Sequence, residues 1–550
     1  MFKLLSIVLA IAATPCAAET LVQATEARLF LTVPDGQPPL TGLTTTTGGI
    51  RRANWLKTEA ENSRLIDISF PINWRRWQSS TVRFTPAFTG HIRLSLLGPW
   101  KPDGSGSLCR QEVLWDELTA TGTTIRNGSF ESQSADAPDH WQTQSHSYPA
   151  PGAWPLDQRE PLAGSHVAAS WHNRMLHQDL PVTAGTPVTL TIHARAATLP
   201  GFTAPKRLGN HTPAHRACVT LKRGVNLGNG WESPPGSQWG ILFTPGDIDH
   251  IADEGFDHIR VPVAWHHYLQ PGKNTIDPEL LAGLEPVLRR ALDRNLTILL
   301  DWHHYDAFTA DPASHTGDFI HGWQTIARHF ADWPPRLFFE LLNEPHDKAT
   351  TAVMNTVHAQ TIAAIRQSNP KRILLISPGH WGSVRELESL RPPDNDDRII
   401  VTIHCYNPFE FTHQGADWTG NRHLTGITYP GPPDSPWQVP AELTKRPGIH
   451  EFATNYNTLS GDQNPISPAT AQRLLDAARQ WSDDFGRPIH LGEFGAFQAA
   501  DLPSRLRYTR DIRTLAEARR IPWTLWEWKA GFGYWNPQSN TPVLRPAIFD

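Results

Sequence analysis

A chain of 550 residues exceeds what one ordinary domain holds, so two or more domains are expected. Its net charge of -5 with 19% charged residues leaves no basic surplus to attract nucleic acid or anionic lipid, and no acidic tail. The 22 tryptophans are many for a soluble chain; part of them suits contact with the flat C–H faces of sugars, the rest a core.

The chain opens MFKLLSIVLAIAATPCAAET, with one Lys, an apolar run from Leu4 to Ala13 and small residues after it. This is the pattern of a cleaved signal peptide, with cleavage expected before Glu19. The run is too short to span a bilayer, and Pro15 argues against acylation of Cys16. Residues 1–18 are therefore read as signal, and the mature chain as secreted or periplasmic, free of membrane and monomeric. Cys109, Cys218 and Cys405 are too sparse for a disulfide framework, although Cys109 and Cys218 could pair.

Short alternating runs follow: LIDISF (65–70), TVRFTP (81–86), HIRLSLLG (91–98) and VTLTIHARA (188–196). Separated by Gly, Pro, Asp and Ser, they predict all-β sandwich structure. VLWDELTATG (113–122) resembles the end, and IRNGSFES (125–132) the start, of a jelly-roll carbohydrate-binding module. One or two sandwiches are thus expected, over 19–122 and 123–200. Either the region holds the chain on polysaccharide, with NWRRW (73–77), Trp55, Trp100 and Trp171 as candidate sugar platforms, or it is a structural brace. Residues 201–217 lack periodicity and read as a linker.

From 218 to 550 the pattern becomes strand, helix, strand, helix. Eight mostly apolar runs suit strands buried on both faces: 219–228, 258–263, 296–302, 336–343, 372–377, 399–404, 488–493 and 522–528. Between them lie amphipathic stretches such as 278–295, whose positions 280, 281, 284, 287, 288, 291 and 292 form one apolar stripe. The chain is α/β in class, with a C-terminal (β/α)8 barrel. Polar residues cluster where these strands end: Asn226 and Asn229, Arg260, Asp301 to Tyr305, Asn343-Glu344-Pro345, His404 to Tyr406, Glu493, and Trp526-Glu527-Trp528. Strict alternation would turn Asn343 and Glu344 to opposite faces, so a bulge or a loosened strand end is expected there. Glu344 and Glu493, on strands four and seven, face each other across the mouth. Glycoside hydrolysis needs such a pair, one acid for the leaving oxygen and one carboxylate for the anomeric carbon or a water. The competing use of either glutamate is a buried pair with Arg260 that holds the barrel. Glu340 is read as a structural carboxylate, Cys405 as a packed thiol, and His266-His267 as rim or surface. No metal-ligand spacing is present, and neither metal nor cofactor is expected.

IRVP, LFFELLNEP, VTIHCYNPFEF and PIHLGEFG, in that order, resemble glycoside hydrolase family 5. RGVNLGN, DWHHYDAF, FTHQGADW and LWEWKAGFG are similar to its bacterial branch acting on both β-1,4-glucan and β-mannan. The resemblance spans roughly 219–540. It implies that Glu344 is the acid/base and Glu493 the nucleophile of a retaining enzyme, with Asn343 bonding the sugar 2-hydroxyl. Arg260 and Tyr406 would hold Glu493 ionised, His404 would serve Glu344, and His303 and Trp526 would floor the subsite at the cut. His304, Asn229, Glu232, Trp418 and Glu527 match positions lining neighbouring subsites. The implied substrate is a β-linked polysaccharide or oligosaccharide, cut as an endo-β-1,4-glucanase does or as a mannanase, xyloglucanase or other β-glucanase. A non-catalytic polysaccharide binder would be expected to have lost one of the two glutamates. One departure is a long Pro-rich stretch over 429–468, where Trp437 or Tyr456 could offer a sugar platform at one end of the cleft.

Overall fold

The computed structural model describes residues 24–52, 64–100, 109–134, 137–145, 161–198, 205–237, 239–269 and 274–550. The expected signal peptide and Trp55 lie outside them. The chain divides into two compact units, Met1–Phe202 and Thr203–Asp550.

The first unit is one sandwich. Its six-stranded sheet runs Gln142–Ser145, Arg174–Val182, Gly90–Leu97, Glu26–Thr32, Leu65–Pro71, Gly49–Arg52. Its five-stranded sheet runs Ala168–Ser170, Val113–Thr121, Val188–Ala196, Gln78–Thr85, Thr41–Thr45. Of the one or two sandwiches that the sequence allows, the sheet order shows one, continuous across 122/123. Arg174–Val182 pairs antiparallel with Gly90–Leu97, and Val188–Ala196 with both Gln78–Thr85 and Val113–Thr121, so neither stretch completes a sheet alone. Alternation supplies the core: Leu29, Leu31, Ile68, Phe70, Val82, Leu94, Leu96, Trp115 and Ile192 pack together. Most of the proposed Trp platforms are spent here. Trp171 is buried, and Trp74 and Trp77 pack against core clusters, whereas Trp100 is exposed.

The second unit is a closed barrel of parallel strands: Arg223–Asn226, His258–Val263, Thr297–Trp302, Leu337–Glu340, Leu374–Ile376, Ile399–His404, Ile489–Glu493 and Trp523–Leu525. The helix Pro278–Asp293 starts at Asp277, whose side chain accepts from the Glu279 N–H, and buries Leu280, Leu284, Val287, Leu288 and Ala291 of the expected stripe. The helix Pro245–Glu254 opens with Asp247 accepting from the Thr244 N–H at 2.8 Å. Only Arg545–Ile548 follows the last strand as helix. The linker reading is also corrected, because 213–218 forms a helix capped by Thr212. Its Ala214 and Cys218 pack with Leu299, Phe338, Leu375 and Ile400 of strands three to six. Cys218 is a buried free thiol, donating to the Ile489 carbonyl at 3.6 Å. Among the described residues no helix is long and apolar enough to cross a membrane.

Candidate active site

The polar strand ends converge on Arg260, which is fully buried on barrel strand two. Its Nε and Nη2 donate to both oxygens of Glu340 at 2.9 and 2.8 Å. Nη1 donates to Asn226 Oδ1 at 2.9 Å and to Glu493 Oε1 at 2.8 Å. Nη2 also reaches Asn343 Oδ1 at 2.7 Å and Asp301 at 2.9 Å. Arg260 therefore bonds to side chains of several barrel strands and to Glu493 at once. Because Asn343 gives its oxygen to Arg260, its amide hydrogens remain as donors for a ligand.

Glu493 ends strand seven, and its second oxygen accepts from the Tyr406 hydroxyl at 2.8 Å. Strand four stops at Glu340, and Glu344 lies beyond it with a left-handed φ of 48°. That is the loosened strand end that alternation demanded, and it turns Glu344 back toward the mouth. A register irregularity at Ile403/His404 sets His404 opposite Glu493 on strand seven. His404 Nδ1 lies 2.7 Å from Glu344 Oε1 and 3.6 Å from Glu493 Oε2. One oxygen from each glutamate and one His404 nitrogen all lie within 4.8 Å of one another. Three such atoms could face a metal ion, but Glu493 already accepts from Arg260 and Tyr406, and His404 Nδ1 is hydrogen-bonded to Glu344, a ligand set committed to hydrogen bonds.

Burial pushes the Glu344 carboxyl up to about 7, against the pull of Arg260 and His346. Burial also raises Glu493 to about 7, with His404 and Arg260 opposing and Glu344 adding to the rise. Arg260 lowers Glu493, as a nearby cation does, and so limits a rise that desolvation causes. Two carboxyls this close titrate as a pair. Glu493 has two donors that favour its anion, whereas Glu344 has His404 alone and a side chain 24% exposed, so the shared proton rests on Glu344.

The ring of Trp526 stacks on His303 at 5.5 Å and 7°, forming a flat wall beside the pair. His304, exposed and at φ 48°, packs its edge on His303. Beyond Trp526, Asn229 donates to Glu527 at 2.6 Å, and Glu232 accepts from the backbone N–H groups of Asn229 and Gly230. Glu232 and Glu527 are buried and pushed up to about 8 by that burial, so they shape the loop around Asn229 more than they offer a surface. Trp418 is 64% exposed, edge-on to Phe497 at 5.0 Å. Trp437 and Tyr456 offer no platform: both are buried, bonded to the Thr425 carbonyl and to Thr428, inside the packed 429–468 segment.

One ring was missed. Trp381 is 47% exposed and stacks on His346 at 5.1 Å and 8°, two residues past Glu344. Its N–H donates to the Pro345 carbonyl at 3.0 Å, and both His380 and Trp381 are left-handed, at φ 55° and 58°. The only sequence signal was the pair of glycines flanking HW in SPGHWGS.

The profile of the cellulase family, glycosyl hydrolase family 5, matches residues 225–531. Endoglucanase 3 of Fibrobacter succinogenes is 29% identical over 339 residues, which cover 58% of this chain and 51% of that protein. The chain thus spans about half of that relative's length. Endoglucanase C of Acetivibrio thermocellus is 28% identical over 60% of this chain and 97% of its own length. The crystal structure of endoglucanase Cel5A from Thermotoga maritima superposes with a TM-score of 0.53 at 31% identity, covering 61% of this chain and 99% of that one. With that match and the strand-end geometry above, the chain belongs to glycosyl hydrolase family 5.

Proposed function

We propose that this protein is an exported, retaining hydrolase of β-1,4-linked glucan, with Glu344 as acid/base and Glu493 as nucleophile. The observation that carries the reading is the separation of the two carboxyls. Their nearest ligand-capable oxygens lie within 4.8 Å. Retaining glycosidases hold the groups about 5–5.5 Å apart, whereas inverting ones leave about 6.5–9.5 Å for a water. Glu344 gives its proton to the glycosidic oxygen while Glu493 attacks the anomeric carbon, so the leaving sugar departs neutral and a glycosyl ester forms on Glu493. Glu344, now ionised beside His404, takes a proton from water as that water opens the ester. Asn343, with its amide hydrogens free, is placed to donate to the sugar hydroxyl next to the reacting carbon. The apolar stretch from Leu4 to Ala13 supports export.

The names of several relatives, endoglucanases, support glucan as substrate. A β-mannan is the second reading, because the Thermotoga enzyme has been crystallised with cellobiose and with mannotriose. Hydrolysis of carboxymethylcellulose, barley β-glucan, glucomannan, galactomannan and xyloglucan, followed by NMR of the first-formed anomer, tests both. We expect β-configured products from glucan or glucomannan. Activity on none of the five overturns the substrate class, and an α-anomer formed first overturns the mechanism. Glu493→Ala is expected to lower kcat by on the order of 10^4-fold or more, since it removes the attacking group itself.

A further inference from the structure

The acid at the barrel mouth hangs from a backbone conformation that few residues prefer. Glu344 is left-handed, at φ 48°, and Asp347, His380 and Trp381 around it are left-handed too, at 51°, 55° and 58°. A residue other than glycine keeps such a conformation only where its surroundings over-determine it. Three hydrogen bonds do so here. Asn343 N–H donates to the Trp302 carbonyl at 2.9 Å, at the end of strand three, and Trp381 N–H donates to the Pro345 carbonyl at 3.0 Å, from the loop after strand five. Between them, His346 Nδ1 lies 2.7 Å from the Glu344 carbonyl oxygen. A carbonyl only accepts, so Nδ1 carries the hydrogen and donates it.

The first two bonds join main chain to main chain, whatever side chains are present. The third depends on one imidazole. That ring has little freedom to leave. It stacks on Trp381 at 5.1 Å and 8°, its Nε2 sits 3.5 Å from Thr309 Oγ1, and its side chain is 23% exposed. The loop that carries Trp381 is pinned in turn, since Gly379 N–H donates to Thr351 Oγ1 at 3.0 Å and a Cβ on Gly379 would lie 2.6 Å from the Thr351 nitrogen. His346 thus joins the loop after strand five to the peptide whose rotation would swing the Glu344 carboxyl away from His404, 2.7 Å distant.

We propose that His346 is a positioning residue for the acid: by donating to the Glu344 carbonyl it holds the left-handed turn that aims the carboxyl at the leaving oxygen. This role rests on Glu344 being the acid/base of a retaining hydrolase. When the bond from the anomeric carbon to the leaving oxygen breaks, that oxygen takes the Glu344 proton while Glu493 forms its ester. A phenol of ordinary acidity needs that proton, whereas a dinitrophenol departs as its anion and needs none. A misaimed acid slows the first and spares the second. General damage to the barrel mouth slows both.

The test compares kcat/KM, which covers the steps up to the ester, for phenyl and 2,4-dinitrophenyl β-cellobioside cleaved by the full chain. His346→Leu keeps bulk but cannot donate, and His346→Asn places an amide N–H where Nδ1–H stood. We expect His346→Leu to lower kcat/KM for the phenyl glycoside about 10^2-fold, the scale of a reacting group misplaced by about 1 Å. The dinitrophenyl value should stay within about threefold of the parent, and His346→Asn should recover most of the phenyl loss. Where His346→Leu does not fold, His346→Gln, whose amide reaches the place of Nε2 and not of Nδ1, takes its part with the same pattern expected. Equal losses on both substrates, no loss on either, or an Asn variant no better than the non-donating one overturns the proposal while the parent stays active. A parent inert on these glycosides and on their mannobioside counterparts overturns the hydrolase reading, and this role with it.

Discussion

Two fully buried charges, Asp116 in the sandwich and Arg260 in the barrel, are met in opposite ways. In the sandwich, Asp116 is fully buried, and its carboxylate accepts from the backbone N–H groups of Glu117, Leu162 and Ala163 at 2.8, 2.8 and 3.2 Å. Its partners cannot titrate or turn, so the charge fixes a loop and does nothing else. In the barrel, Arg260 meets Glu340, Asp301, Glu493, Asn226 and Asn343, and Glu493 passes on to Tyr406 and the His404–Glu344 pair. Side chains answer side chains there, and several can exchange protons. The lesson is that the partner, more than the burial, decides whether a buried charge builds structure or chemistry.

The sharpest way to break this comparison is Arg260→Met. Removing one cation from three buried carboxylates leaves them uncompensated, a loss of about 3–5 kcal/mol in stability, and activity should vanish with it. Denaturant unfolding measures the first, glucan hydrolysis the second. A variant as stable as the parent would mean that Arg260 serves the chemistry alone and that the barrel needs no charge network.

The next effect is one of pH. Burial raises Glu232 and Glu527 to about 8 and Asp301 to about 7, and the Glu344–Glu493 pair holds its shared proton on Glu344 up to about 7. These folded-state values lie above the unfolded ones, so the native state keeps protons that the unfolded chain has lost, and stability falls as pH rises toward the folded pKa. Buried histidines oppose this only below about pH 6.5, where the unfolded rings take up protons. Between about pH 6.5 and 8 the carboxyls act alone, each contributing about 1.4 kcal/mol per pH unit until it ionises. In the sandwich, Glu131, held down to about 2 by hydrogen bonds led by the His166 N–H, has long finished titrating. Calorimetry across that window should show the barrel transition moving to lower temperature. A transition that stays level or climbs would place those carboxyls among their ordinary values.

The same contrast explains what could be read from sequence. The eight barrel strands were legible because burial on both faces demands continuous apolar runs, and the two glutamates because each follows such a run amid Asn, His, Tyr and Trp. Pairing between distant strands leaves no local mark, so Gly90–Leu97 beside Arg174–Val182 was invisible and one sandwich could not be told from two. Residue type also cannot tell a platform from a core ring: Trp171, Trp437 and Tyr456 were all candidates, and all are buried. The helix Pro213–Cys218 is too short to show a period and takes its form from the strands it packs on. For Glu344, alternation exposed a conflict at the strand end, and only the left-handed backbone resolved it.

Asp116→Ala probes the structural side of the comparison. Three backbone N–H groups lose their acceptor, at a cost of about 1–3 kcal/mol, while hydrolysis of a short soluble glycoside should stay within a factor of about two of the parent, under half a kcal/mol. Loss of that activity in a folded Asp116→Ala chain would show that the sandwich does more than hold its own loops.

The smallest effect belongs to the barrel mouth. The barrel mouth presents Trp381 over His346, tied by its backbone N–H to the residue after Glu344. If Glu344 protonates the leaving oxygen, a ring beside it faces the departing sugar. Stacking of this kind is worth about 0.5–1.5 kcal/mol, so Trp381→Ala should raise KM for long soluble glucan by a factor of roughly three to ten, with kcat nearly level. Trp381→Phe should recover most of the loss, because a flat face remains. An aryl glycoside whose leaving group is too small to reach the ring should notice neither change. A fall in kcat with KM untouched would assign Trp381 a different task, holding the left-handed turn that aims Glu344, and the rescue by Phe would then fail for polymer and aryl glycoside alike.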